Sequence, residues 1–171
     1  MRALAPMVLV AGLSCAGCAA TLVPLGAAVP ITDTTPRGVP LEVVTRSSVA
    51  EPLELVNGRA RYADLELSLG HAVTSAVAPW AEEHRQARPD GWQLLIELAH
   101  ARAERHDGVI SVALNARATL RTRVGHVYLG QTQAHCLARA AASATGGAPV
   151  FYVCMMSLGR ELAGWLGGVQ P

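Results

Sequence analysis

From Trp92 to Arg121 the chain reads WQLLIELAHARAERHDGVISVALNARATLR, and the alternation inside this stretch decides the fold. Between Trp92 and Arg102 the even positions Trp92, Leu94, Ile96 and Leu98 are apolar, while Gln93 and Glu97 stand among the odd ones. A period of two marks a strand with one buried face. Between Val109 and Arg121 the even positions Ile110, Val112, Leu114, Ala116, Ala118 and Leu120 are again apolar, opposite Ser111, Asn115, Arg117, Thr119 and Arg121. Residues paired across an antiparallel ladder share a face, so even must pair with even and the connecting loop must be odd in length. His106-Asp107-Gly108 meets that condition as a three-residue loop, with glycine at the left-handed position. A two-residue Asp107-Gly108 turn would pair Ile110 with Arg105 and set the two apolar faces on opposite sides.

The same reasoning extends outward. Arg123-Val124-Gly125 reads as a second odd loop, leading into a strand from His126 to about Ala140. Tyr128, Gly130, Thr132, Ala134, Cys136 and Ala138 then face inward, and Gln131, Gln133 and His135 face out. After a small-residue loop, Pro149 starts a helix whose stripe is Phe151, Cys154, Met155, Leu158, Leu162 and Trp165, with Gly167-Gly168 as its end. Before the meander, Leu65, Leu69, Ala72, Val73, Ala76 and Val77 recur at helical spacing in a segment opening at Arg61, which Pro79 should kink or end. Further back, Leu41 to Thr45 is a short strand, and Asn57-Gly58 closes a small hairpin after Leu53 to Val56. The expected fold is a two-layer α+β sandwich: a mostly antiparallel sheet, made of a short N-terminal strand and a three-strand meander, with two helices on one face.

The chain has 171 residues, room for one domain with its own core. Apolar residues make up 51% and charged residues 16%, which excludes disorder as a description of the whole. The 14 basic residues are all arginine and face 13 acidic ones, a balance with no electrostatic footprint for nucleic acid.

At the N-terminus Arg2 precedes an apolar run from Ala3 to Leu13, the pattern of a secretory signal. That run is far short of the roughly 20 residues that cross a bilayer. The signal ends in Leu13-Ser14-Cys15-Ala16-Gly17-Cys18, which resembles the lipobox of bacterial lipoproteins, with Cys15 standing where leucine is usual. The resemblance implies cleavage after Gly17, acylation of Cys18, and, with Ala19 in place of aspartate, sorting to the periplasmic face of the outer membrane. Cys15-x-x-Cys18 as a redox or zinc pair is rejected, because both cysteines belong to the signal and no second pair follows. Residues 1–17 are thus read as signal, 18–40, with Pro24, Pro30, Pro36 and Pro40, as a lipidated semi-extended tether holding the domain some tens of ångströms from the bilayer, and 41–171 as a single periplasmic domain.

Cys136 and Cys154 survive signal removal, one on the last strand and one on the last helix. A disulfide is expected in an oxidising periplasm, with two inert buried thiols as the alternative. The six histidines show no metal-pair spacing, and His100 and His135 are expected on opposite faces of the sheet. No nucleophile elbow or phosphate-binding glycine loop is present. No enzyme activity, cofactor or metal is expected. The surface singled out is Asn115, Arg117, Arg121, Gln131 and Gln133 on the open sheet face, either a docking surface or an ordinary solvated one.

Ala16-Gly17-Cys18, the Pro-rich segment, a helix, Gly91-Trp92-Gln93-Leu94 opening the meander and a closing helix from Val150 to Leu166 together resemble small outer-membrane lipoproteins of the YajG type and auxiliary lipoproteins of ABC-type lipid transport systems. The resemblance implies a non-catalytic domain, tied to the membrane through Cys18, that docks on an envelope protein. The alternative expectation is a carrier of lipid or a small apolar ligand between helices and sheet.

Overall fold

The computed structural model describes residues 20–25, 41–86, 90–142 and 147–169; Cys18, the signal and residues 26–40 lie outside them. Strands β1 (Thr21–Pro24), β2 (Leu41–Ser47), β3 (Leu53–Val56) and β4 (Ala60–Ala63) precede helix α1 (Leu65–Glu83). Strands β5 (Trp92–His106), β6 (Val109–Thr122) and β7 (Tyr128–Ala141) lead to helix α2 (Ala148–Gly168). The α+β class and the helix–meander–helix order follow the sequence reading. The sheet does not: it has seven strands and is mixed.

Its order is β1-β4-β3-β5-β6-β7, with β2 also on β5. Strand β6 occupies one edge of β5 along its whole length, so β2 and β3 share the other. Both run parallel to β5, β2 against Trp92–Leu98 and β3 against Ala103 and Glu104. Parallel pairing is the natural result of a crossover helix, here α1, between strands of one sheet. The strand β1 also corrects the tether: Thr21–Pro24 pairs parallel with Ala60–Ala63, and Leu25 behind it is fully buried. Alternation was no guide there, because a four-residue strand shows too little of it.

Both hairpins reach the expected faces by another route. Arg105 pairs with Ile110 and His106 with Val109, so the β5–β6 connection is the two-residue turn Asp107-Gly108 that parity had excluded. Both turn residues have positive φ, 48° and 76°, as a type I′ turn requires. Parity is restored by a bulge: Leu98 pairs with Ala116 but His100 with Asn115, leaving Ala99 as the extra residue. Trp92, Leu94, Ile96 and Leu98 are therefore buried before the bulge, and Ala101 and Ala103 after it.

The β6–β7 connection repeats the device. Thr122 N–H donates to the Val127 carbonyl (2.9 Å), and the Thr122 hydroxyl accepts from Val127 N–H (2.9 Å) while donating to the Val124 carbonyl (2.7 Å). The loop is Arg123 to His126, and Leu129 is the bulge between the pairs Leu120–Gly130 and Arg121–Tyr128. Tyr128, expected inside, is consequently outside and exposed.

Helix α1 starts at Leu65, because Arg61 belongs to β4. Its first turn is capped from a distance: Glu51 accepts Asp64 N–H (2.9 Å) through Oε2 and Glu66 N–H (3.3 Å) through Oε1. Pro79 does not end the helix, since Trp80 beyond it is buried edge-on against Trp92, with centroids 5.3 Å apart. Helix α2 lies over β6 and β7, α1 over β2, and the two helices touch. Gly159 permits that approach, because a Cβ there would sit 3.0 Å from the Ala72 carbonyl oxygen and from the Ala76 Cβ. Trp92, Leu94, Ile96, Leu98, Phe151, Leu158 and Leu162 fill the space between the layers.

Candidate functional site

The register places all five residues of the expected docking surface on the open face. Asn115 pairs with His135, Arg117 with Gln133 and Thr119 with Gln131, while Arg121 pairs with Tyr128. Across β5 the partners of Asn115, Arg117 and Arg121 are His100, Glu97 and Gln93. Strands are about 4.8 Å apart, so these side chains form one continuous polar field. Beside it, Glu42, Val44 and Arg46 on β2 stand in register with Gln93, Leu95 and Glu97.

One end of the field is tied together. Arg121 Nε donates to Gln93 Oε1 (2.7 Å), a second guanidinium nitrogen donates to the same oxygen, and Gln93 Nε2 donates to Glu42 Oε2 (2.8 Å). This chain crosses three strands and holds Arg121 in place. Arg117, at the centre, takes part in none of the four ion pairs among the described residues. Its cross-strand neighbours are Glu97 on β5 and Gln133 on β7, and with no ion pair formed to Glu97 the guanidinium is open to a carboxylate or phosphate brought by another molecule.

His100 and His135 were expected on opposite faces, yet both stand beside Asn115 on the open one. The bulge at Ala99 moves His100 over. The sequence does mark that displacement, because beyond Leu98 the apolar positions switch from even to odd, Ala101 and Ala103 standing against His100, Arg102 and Glu104. A single even register from Trp92 to Arg102 passes over the switch and so misses His100, whereas Gln93 was legible from its odd position.

The edges of the sheet are less available than its face. On β2 the Ser47 N–H donates to Glu66 Oε2 of α1 (3.0 Å), and on β7 the His135 N–H donates to Glu161 Oε2 of α2 (3.4 Å). A glutamate from the neighbouring helix thus occupies a donor on each of these strands, a device that discourages strand addition.

A cleft of about 510 Å³ lies between β2 and α1, lined by Thr45, Glu51, Asp64, Glu66, His71 and Thr74 among others. The carboxylates of Glu51 and Glu66 already accept backbone N–H groups, and the His71 Nδ1 is buried without a partner. Among the described residues no three His, Cys, Asp or Glu side chains gather as a metal site.

Cys136 and Cys154 are joined, with their Cα atoms 5.5 Å apart. The bond ties the half-buried face of β7 to the buried stripe of α2. Elsewhere in the core Tyr62 packs against Phe151 with ring centroids 4.6 Å apart and planes tilted by 50°, and its hydroxyl accepts the Gly147 N–H at 2.9 Å. Burial pushes the Tyr62 pKa above 10.0, and the Gly147 hydrogen bond opposes that rise.

No family model matches the sequence, and no curated protein does. Solved structures do share the fold. Protein XCC0632 from Xanthomonas campestris, of the family of unknown function DUF330, is 13% identical with a TM-score of 0.53, over 75% of this chain and 84% of that one. A candidate lipoprotein from Caulobacter crescentus is 13% identical with a TM-score of 0.51, over 77% of this chain and 95% of that one. At this identity the likeness is one of fold, and no residue is transferred.

Proposed function

We propose that the chain is a lipid-anchored cell-envelope protein whose domain has no catalytic role and docks, by the open face of its sheet, on a partner protein of an envelope assembly. The observation that carries this reading is the contiguous polar field around Arg117, tied at one end by the Glu42–Gln93–Arg121 chain and lying opposite the face that the helices cover. A candidate lipoprotein among the proteins that share the fold supports the anchor at Cys18. Ala19 after that cysteine favours the outer membrane, and the resemblance to auxiliary lipoproteins favours service to a transport system. The carrier reading has less behind it: the layer between helices and sheet is filled with side chains, and the cleft beside α1 is lined by carboxylates unsuited to an acyl chain.

The test is photo-crosslinking in intact envelopes. A photoreactive residue replacing Arg117 or Gln133 is expected to give one discrete protein adduct, and the same residue at Glu82 on α1 none. Adducts equal at both places, or none at the open face, would contradict docking through it.

A further inference from the structure

The position of β1 says where the bilayer must be. Thr21 follows Cys18 by three positions. Its N–H donates to the Arg59 carbonyl (2.7 Å), and Leu25 N–H donates to the Ala63 carbonyl (3.1 Å), so the segment is fixed to the sheet at both ends. Three extended residues span at most about 11 Å. Lipid on Cys18 therefore emerges next to Thr21, and the separation of tens of ångströms expected of a tether is not available.

The ladders identify which end of the molecule that is. Thr21 stands beside Ala60, just past the Asn57-Gly58 turn, and Val56 before that turn stands beside Glu104 near the Asp107-Gly108 turn. Exposed apolar side chains lie at this end, Leu22 (59%), Val56 (45%) and Val109 (38%), as at the far end, Val124 (65%), Val127 (59%) and Tyr128 (63%), so it is the place of β1 that assigns this end to the lipid. Glu54 is paired with Arg61, Glu104 with Arg102 and Asp107 with His106, whereas the exposed Arg59, Arg105 and Arg139 enter none of the ion pairs among the described residues. Arginines left over from local pairing, with apolar side chains between them, suit an anionic lipid surface. The opposite end, the β6–β7 loop, is one length of β6 away, about 45 Å at 3.3 Å per residue.

We propose that this end of the domain, formed by β1 and the two turns at Asn57-Gly58 and Asp107-Gly108, rests on the anionic headgroups of the bilayer that carries the Cys18 lipid. The long strands then point away from the membrane, and the Arg117 field is presented at a fixed height above it. This placement rests on the acylation of Cys18 proposed above.

The test uses the acylated full chain in vesicles of phosphatidylethanolamine and phosphatidylglycerol bearing a headgroup quencher. A fluorophore is attached at Asp107→Cys or, in a second preparation, at Val124→Cys. Quenching of about twofold or more is expected at position 107 and none at 124, and the 107 signal should recover when phosphatidylcholine replaces the anionic lipid. Arg59→Glu with Arg105→Glu should release position 107 in the same way while the acyl mass is unchanged. Equal quenching at both positions, or none at 107 in a chain whose mass includes the acyl groups, overturns the placement alone. Quenching at 107 indifferent to lipid charge and to both substitutions overturns the headgroup contact. A mature chain without acyl mass overturns the placement and the lipoprotein reading together.

Discussion

The strands β5, β6 and β7 present two faces made of alternate residues of the same chain, and the faces obey different rules. On the covered side Leu94, Ile96, Val112, Ala116, Ala118 and Leu120 are all fully buried. On the open side Glu97, Arg117 and Gln133 stand in register in water. Burial dictates the first set, because each large apolar side chain removed from water stabilises the fold by about 1.5–3 kcal/mol. Burial does not dictate the second. Its composition answers to whatever lies against it, which is why function is sought there.

The contrast can be broken most severely at Ala99. Deleting this bulge residue forces either the Trp92–Leu98 half of β5 or its turn half to reverse faces. Exposing four buried side chains would consume most of a typical stability of about 5–15 kcal/mol, so the variant is expected to lose its cooperative unfolding transition in urea. A well-folded deletion variant would contradict the assigned register.

Single truncations sharpen the contrast. Ile96→Ala is expected to cost about 2–5 kcal/mol in denaturant titration, whereas its neighbour Glu97→Ala should cost less than about 0.5 kcal/mol. The disulfide comes next. Cys136 and Cys154 are 18 positions apart, and replacing both with alanine should cost about 3 kcal/mol on the loop-entropy account. The same loss should follow from reductant in the wild type and be absent in the variant.

A further effect concerns the Tyr62 hydroxyl, set into the covered layer. Tyr62→Phe leaves the Gly147 N–H without its acceptor, a loss of about 1–3 kcal/mol near neutral pH. Because the folded chain holds the Tyr62 proton more tightly than the unfolded one, its contribution is complete below pH 10.0 and declines as pH rises through the elevated folded value. The phenylalanine variant should therefore show a shallower alkaline loss of stability, measured by urea titration at successive pH values.

The covered face was legible in the sequence because period two and period 3.6 are direct images of burial. The residues Trp92 to Leu98, Gly130 to Ala138 and the stripes of both helices follow from that alone. The turns were not legible, because parity counts the loop and any bulge together. A three-residue loop and a two-residue loop with Ala99 bulged give the same faces near Trp92; they differ at Ala101 and Ala103, which the bulge turns inward, and in the pairing of His106 with Val109. The cost of that ambiguity fell on His100 and Tyr128, both of which moved to the open face. The parallel pairings were hidden for a different reason: β2 and β3 were legible as strands, but their common partner β5 is remote in the chain, and β1, four residues long, is too short to show a period. The docking residues Asn115, Arg117, Gln131 and Gln133 were legible as a face, while the hydrogen-bond chain that fixes Arg121 depends on β2, whose partner strand the sequence did not reveal.

The anchor, the compartment and the placement on the bilayer all require Cys18 to be the acylated first residue of the mature chain. The intact mass of protein extracted gently from membranes measures this directly. The expected result is a chain beginning at Cys18 and carrying the added mass of its acyl groups; a product that retains residues before Cys18, or begins there without added mass, would contradict it.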